Sequence, residues 1–94
     1  MTDYSALIVP SGWTDNTEDW CGARDEGIEI VRKIGSYTAV VRNAYGPNEQ
    51  DYLFIGMISH STPLWGVERD INITGDDWNE VVAKTNAQFQ GLTQ

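Results

Sequence analysis

GIEIVRKI at residues 27–34 is the first of three apolar runs, and it is followed by SYTAVVRNA at 36–44 and DYLFIGMIS at 51–59. All three runs are rich in β-branched and aromatic side chains, which suit the pleated surface of a sheet. Gly35 and Ser36 separate the first two runs and fit a tight hairpin turn. The longer connection at 45–51 contains Gly, Pro and Asn, which favour turns. The pattern predicts an antiparallel β-meander over residues 28–58.

Two more segments are candidates for strands of the same sheet. Apolar and polar residues alternate from Trp65 to Ile73, which is the period of an amphipathic strand. Residues 4–9 form a short apolar run that ends at Pro10, and an edge strand tolerates a following proline. We therefore expect a strand over 65–73 and an additional edge strand over 4–9 as an alternative, giving four or five strands.

A helix is predicted after this strand, over about residues 75–90. Thr74 precedes Asp76 and Asp77 and is expected to act as the N-cap, while Gly91 is expected to end the helix. The predicted buried stripe consists of Trp78, Val81, Val82, Thr85 and Phe89. Together these elements predict an α+β fold in which the C-terminal helix packs on one face of an antiparallel sheet.

Length and composition restrict the class of protein. The chain has 94 residues, which predicts a single domain, and a domain of this size has little room for a deep substrate pocket. No apolar stretch approaches the roughly 20 residues of a membrane span, and no signal-peptide pattern opens the chain. The single cysteine, Cys21, has no partner within the chain for a disulfide. We expect a cytoplasmic protein.

Charge is the strongest deviation from an ordinary domain. Fourteen acidic residues oppose six basic ones, giving a formal net charge of −8. Residues 10–27 are rich in acids and are predicted to form a long loop with at most a short helix at Thr17. An acidic surface repels nucleic acids and membranes, which are anionic, and attracts basic partners. The alternative is that the charge serves solubility alone.

Aromatic residues within this acidic loop make it the leading candidate for an interaction site. Trp is enriched at interface hot spots, and aromatic rings among carboxylates suit a basic, Arg-rich surface. The alternative is that the two Trp side chains only fix the loop to the domain. The predicted partner-binding residues are Trp13, Asp15, Glu18, Asp19, Trp20, Asp25 and Glu26.

No catalytic, cofactor or metal site is predicted. Cys21 and His60 could form a nucleophilic dyad only if the fold brought them together, and neither lies in a catalytic sequence signature. The carboxylates of the acidic loop lack the order of an EF-hand. With one Cys and one His, the chain cannot supply a zinc site of the usual kind.

The sequence therefore predicts a small acidic protein without enzymatic activity that occupies a basic surface of another protein. In size and charge it resembles the acidic proteins with which bacteriophages and mobile elements block the nucleic-acid-binding machinery of a host. An assembly subunit of a larger particle and a small-ligand or carbohydrate binder that uses exposed Trp are the alternatives. A homodimer is also an open alternative, with Arg32, Lys33 and Arg42 facing acids of a second copy.

Overall fold

The fold is an antiparallel sheet covered on one face by a helix. The computed structural model describes residues 4, 7–22, 27–44, 52–62 and 66–93. The strands are β1 (Thr14–Asp15), β2 (Glu29–Ile34), β3 (Tyr37–Asn43), β4 (Phe54–Thr62) and β5 (Gly66–Gly75). The helices are α1 (Thr17–Cys21) and α2 (Trp78–Thr93). All five strands belong to one sheet in the order β1-β2-β3-β4-β5, which confirms the predicted α+β class.

The central meander has the predicted hairpin between its first two strands. Ile34 pairs with Tyr37 across a two-residue turn at Gly35 and Ser36. Gly35 has φ of 61°, a left-handed conformation that suits glycine. At the other end of the hairpin, the buried Asn43 side chain accepts a hydrogen bond from the Ile28 N–H over 3.0 Å. This bond holds the start of β2 against the end of β3.

The core lies between α2 and one face of the sheet. The predicted helical stripe is confirmed, because the buried residues of α2 are Trp78, Val81, Val82, Thr85 and Phe89. They pack on alternate residues of the strands, among them Ile28, Ile30, Ala39, Val41, Phe54 and Ile58. The Phe54 and Trp78 rings lie 5.3 Å apart in an edge-on arrangement. Alternate residues of β2, β3 and β4 thus form the apolar face of the sheet, and residues at helical spacing form the apolar face of α2.

The boundaries of α2 differ from the prediction. The Val81 N–H bonds to the Asp77 carbonyl over 3.0 Å, and the helix begins at Trp78. Thr74 is not its N-cap, because β5 continues to Gly75, which pairs with Phe54. Gly91 does not end the helix, which continues to Thr93. Gly91 does not have the positive φ of a glycine that ends a helix.

The additional edge strand of the sheet is not at residues 4–9, where the sequence had offered it as an alternative. Residues 7–10 are not a strand, and residues 5–6 lie outside the described part of the chain. The Ile8 carbonyl instead accepts a hydrogen bond from the Trp78 indole over 3.0 Å, so it is not used in a strand ladder. The edge strand is β1, which falls in the segment predicted as loop. The sequence allowed at most a short helix in this segment, and α1 is such a helix; its N-cap is Asn16 and not Thr17.

A register shift interrupts the pairing of β4 with β5. Ile58 pairs with Ile71, whereas Ser59 pairs with Arg69, so β5 contains one extra residue at this point. The uniform two-residue alternation predicted for 65–73 therefore does not hold across the shift. Trp65 lies outside the described residues. Neither helix in the described part of the chain is long and apolar enough to cross a membrane.

Candidate partner-binding end of the sheet

Several acidic residues of the described chain lie at one end of the sheet, together with the basic Arg42. At this end, which we call the acidic end, β2 and β4 begin while β3 and β5 end. The segment β1–α1 lies at one corner, where Asp15 pairs with Ile30, and α2 begins at the other corner beside Phe54. The carboxylates that the described residues place there are Asp15, Glu18, Asp19, Glu29, Asp76, Asp77 and Glu80.

The β1–α1 corner is fixed to the sheet by hydrogen bonds around Thr17. The buried Thr17 hydroxyl accepts the Glu29 N–H over 3.1 Å, and the Asn16 N–H donates to the Glu29 carbonyl over 2.8 Å. The Asp15 carboxylate accepts the Thr17 N–H over 3.0 Å. These bonds hold a short polar segment in place, although its five-residue helix is too short to be stable alone.

Three of the predicted partner-binding acids are exposed on this corner, namely Asp15, Glu18 and Asp19. These three residues of the sequence-based grouping therefore lie within one exposed segment of the chain. Asp25 and Glu26, the other two predicted acids, lie outside the described residues.

The two predicted aromatic anchors have different positions. Trp13 is only 8% exposed and belongs to the core, so it offers little area to a partner and instead fixes the loop to the domain. Trp20 is half-buried, and the Arg42 guanidinium lies 5.6 Å from its ring centroid. This cation–π contact uses one face of the ring within the chain itself. Trp20 therefore positions α1 as well as contributing to the surface.

The α2 corner adds acids from a distant part of the sequence. Asp76 and Asp77 are exposed, and the Asp76 carboxylate accepts the Leu53 N–H over 3.1 Å. Glu80 follows in the first turn of α2, where the Lys84 ammonium lies 2.6 Å from its carboxylate. This hydrogen bond and the charge of Lys84 hold the pKa of Glu80 below its ordinary value.

Exposed apolar side chains adjoin the same corner, and the sequence did not single them out. Ile8 is 70% exposed and Leu53 is 59% exposed. The Ile8 carbonyl bonds to Trp78, and Leu53 directly precedes Phe54, so both residues flank the Phe54–Trp78 pair. Ile8 and Leu53 both lie in apolar runs that were predicted as strands. The sequence of such a run does not show which of its side chains are exposed. Two exposed apolar side chains thus belong to segments that adjoin the start of α2.

The geometry gives no support to a Cys21–His60 dyad. The ring of His60 contacts Tyr37, 5.3 Å away, at the end of β3 opposite to Arg42. Cys21 follows Trp20, which stacks on Arg42. Five residues of extended strand, roughly 17 Å, separate these two places along β3. Among the residues whose positions are described, no three Cys, His, Asp or Glu side chains are grouped so that they would hold a metal ion.

Comparisons with known proteins add no assignment, since no family model, curated protein or solved structure matches the chain.

Proposed function

We propose that this chain is a binding protein without catalytic activity whose acidic end occupies a basic surface of a partner protein. The observation that carries the proposal is the convergence of two acidic segments, at residues 15–19 and 76–80, on one end of a single sheet. These segments are far apart in the sequence. Because β1–α1 and the start of α2 lie at the two corners of the same end, a partner surface that spans this end would face both groups of charges.

The proposed interface combines electrostatic steering with apolar contact. Carboxylates at the rim of an interface accelerate encounter with a basic partner, whereas buried apolar contacts slow dissociation. Ile8 and Leu53 are the exposed apolar side chains beside the carboxylates of α2. We assign them the role of anchors, which the sequence had assigned to Trp13 and Trp20. Trp20, which is half-buried beside Glu18 and Asp19, remains part of the proposed interface.

The proposed partner surface is one that normally holds nucleic acid. Sites for nucleic acid present Lys and Arg to successive phosphates, and an array of carboxylates offers the same sign of charge to these side chains. An acidic protein that covers such a site would act as an inhibitor by nucleic-acid mimicry. Direct binding of nucleic acid by the acidic end is disfavoured by charge repulsion.

An assembly subunit is the second candidate function, and the outer edge of β5 favours it. β5 is ten residues long and, among the described residues, pairs with β4 on one side only. An edge of this length is able to add a strand from another chain. The register shift between Ile58 and Ser59 makes the edge irregular, which is a common protection against such pairing. We therefore prefer the function as an acidic binding protein to that of an assembly subunit.

The test is an affinity capture with matched charge variants. The immobilised wild-type chain identifies partners in a lysate, and purified partner is then bound to Glu18→Gln/Asp19→Asn and to the control Glu68→Gln/Asp70→Asn. Both double variants remove two negative charges, but residues 68 and 70 belong to the half of β5 that is farther from Gly75. We expect the first variant to weaken binding about tenfold and the control to change it less than about twofold. Equal effects of the two variants would contradict a specific acidic site.

A further inference from the structure

The face of the sheet opposite to α2 contains a groove between β1 and the β2–β3 hairpin. Its volume is about 600 Å³. This volume is within the range of sites for small molecules. The residues that line the groove include Thr14, Asn16, Val31, Lys33, Thr38 and Val40.

Strand register gives the groove an apolar floor and a polar end. Val31 lies opposite Val40, and two residues further along, Lys33 lies opposite Thr38. β1 forms the outer wall where Thr14 pairs with Val31. β1 does not extend to the position opposite Lys33, because the chain turns at Gly12, whose φ is 90°. The groove therefore opens beside Lys33.

The charge of the groove has the opposite sign to that of the whole chain. Among the described residues that line the groove, the charged ones are Lys33 and Arg32, although the chain has a formal net charge of −8. Lys33 is exposed, and within the described part of the chain it forms no ion pair. The Arg32 guanidinium donates to Asn86 over 2.6 Å and lies 5.7 Å from the Phe89 ring centroid, and neither of these groups carries charge.

Glu29 is the acidic residue on this face of β2. Val31 lies between Glu29 and Lys33 on the same face. Glu29 accepts a hydrogen bond from the Asn16 side chain over 2.6 Å. It therefore lies toward the acidic end, and the cations lie at the other end of the groove. An anionic ligand gains most from a position at the Lys33 end, since a like charge at the Glu29 end would oppose it.

We propose that this groove binds a small organic anion, with a phosphate or carboxylate group at Lys33 and an apolar body on Val31 and Val40. The Thr14 and Thr38 hydroxyls offer hydrogen bonds along the walls. The Lys33 end of the groove lies away from the acidic end, and the other end of the groove adjoins it at Asn16. The ligand of the groove is a small molecule and not the basic partner protein.

The test is a titration of the ¹⁵N-labelled protein with phenyl phosphate, followed by two-dimensional NMR. Phenol, which lacks the charge, and inorganic phosphate, which lacks the apolar body, are the comparison probes. We expect saturable shifts of the Thr14, Val31, Lys33 and Thr38 amides with phenyl phosphate, weaker binding of inorganic phosphate and none of phenol. Loss of one charge–charge contact in Lys33→Gln is expected to weaken binding about fivefold.

The matched control is Lys84→Gln, which makes the same change of charge on the outer surface of α2, where Lys84 pairs with Glu80. It is expected to bind phenyl phosphate within about twofold of the wild type. The amide spectrum of each variant also shows whether the fold is retained. Binding of phenol equal to that of phenyl phosphate, unchanged binding in Lys33→Gln, shifts confined to other residues, or no saturable shift would each overturn the proposal.

Discussion

Gly56 shows how one residue of β4 sets the distance between sheet and helix. A Cβ added at this position would lie 1.9 Å from the Thr85 hydroxyl oxygen of α2. The Thr85 side chain is completely buried, so it has little freedom to move away. Val41, which pairs with Gly56 on the same face, is also buried in the core. The absence of a side chain at Gly56 is therefore what lets α2 pack closely on β4.

Gly56→Ala is expected to destabilise the protein by about 1–3 kcal/mol, because overpacking forces the helix or the backbone of β4 to shift. The control is Gly91→Ala in α2, where nothing lies within 4 Å of the added methyl group. That change is expected to stabilise the helix by about 0.5–1 kcal/mol. Urea unfolding measures both free energies, and an unchanged stability of Gly56→Ala would contradict the close approach of Thr85.

The N-terminal end of α2 is fixed to the sheet by Trp78. Its ring packs on Phe54, and its indole N–H donates to the Ile8 carbonyl over 3.0 Å. Trp78→Ala is expected to cost about 3–5 kcal/mol through the cavity that it leaves. Trp78→Phe retains much of the packing but loses the hydrogen bond, and is expected to cost about 1–2 kcal/mol.

Thr74→Ala separates two accounts of where α2 begins. An N-cap threonine would lose about 1 kcal/mol on this change, whereas an exposed strand residue changes stability by less than about 0.5 kcal/mol. Thr74 is exposed and lies in β5, so we expect the smaller effect in urea unfolding. A loss of 1 kcal/mol or more would instead favour a helix that starts directly after Thr74.

The sequence predicted those elements whose side chains repeat with a clear period. The meander, the buried stripe of α2 and the short helix at Thr17 follow from local patterns. β1 was missed because two exposed residues, Thr14 and Asp15, carry no alternation, and their pairing depends on the distant β2. The start of α2 was misplaced because Thr74 and the following acids resemble a cap, whereas tertiary pairing of Gly75 with Phe54 prolongs the strand.

The candidate site was predicted less completely than the fold. The composition identified the acids of residues 15–19, since exposure of charged residues is the general rule. It did not show that Asp76 and Asp77 lie at the same end of the sheet, which only the pairing of β4 with β5 establishes. Nor did it show that Trp13, in a polar segment, is buried and that Leu53, in an apolar run, is exposed.

On the scale of the whole molecule, charge is distributed unevenly along the sheet. The exposed acids of β1–α1 and of the start of α2 lie at one end, and Lys33 lies toward the other. A basic partner approaching in solution is attracted to the acidic end before contact is made. This attraction acts over a Debye length of about 8–10 Å at ordinary salt concentration, and added salt screens it.

The most direct test of the proposed interface is the association rate constant for the captured partner, measured against salt concentration. We expect Glu18→Gln/Asp19→Asn to lower the rate constant severalfold at low salt and to reduce its salt dependence, with little change in the dissociation rate constant. The control Glu68→Gln/Asp70→Asn should follow the wild type. An association rate constant that is the same for both double variants and the wild type at every salt concentration would contradict the acidic end as the binding site.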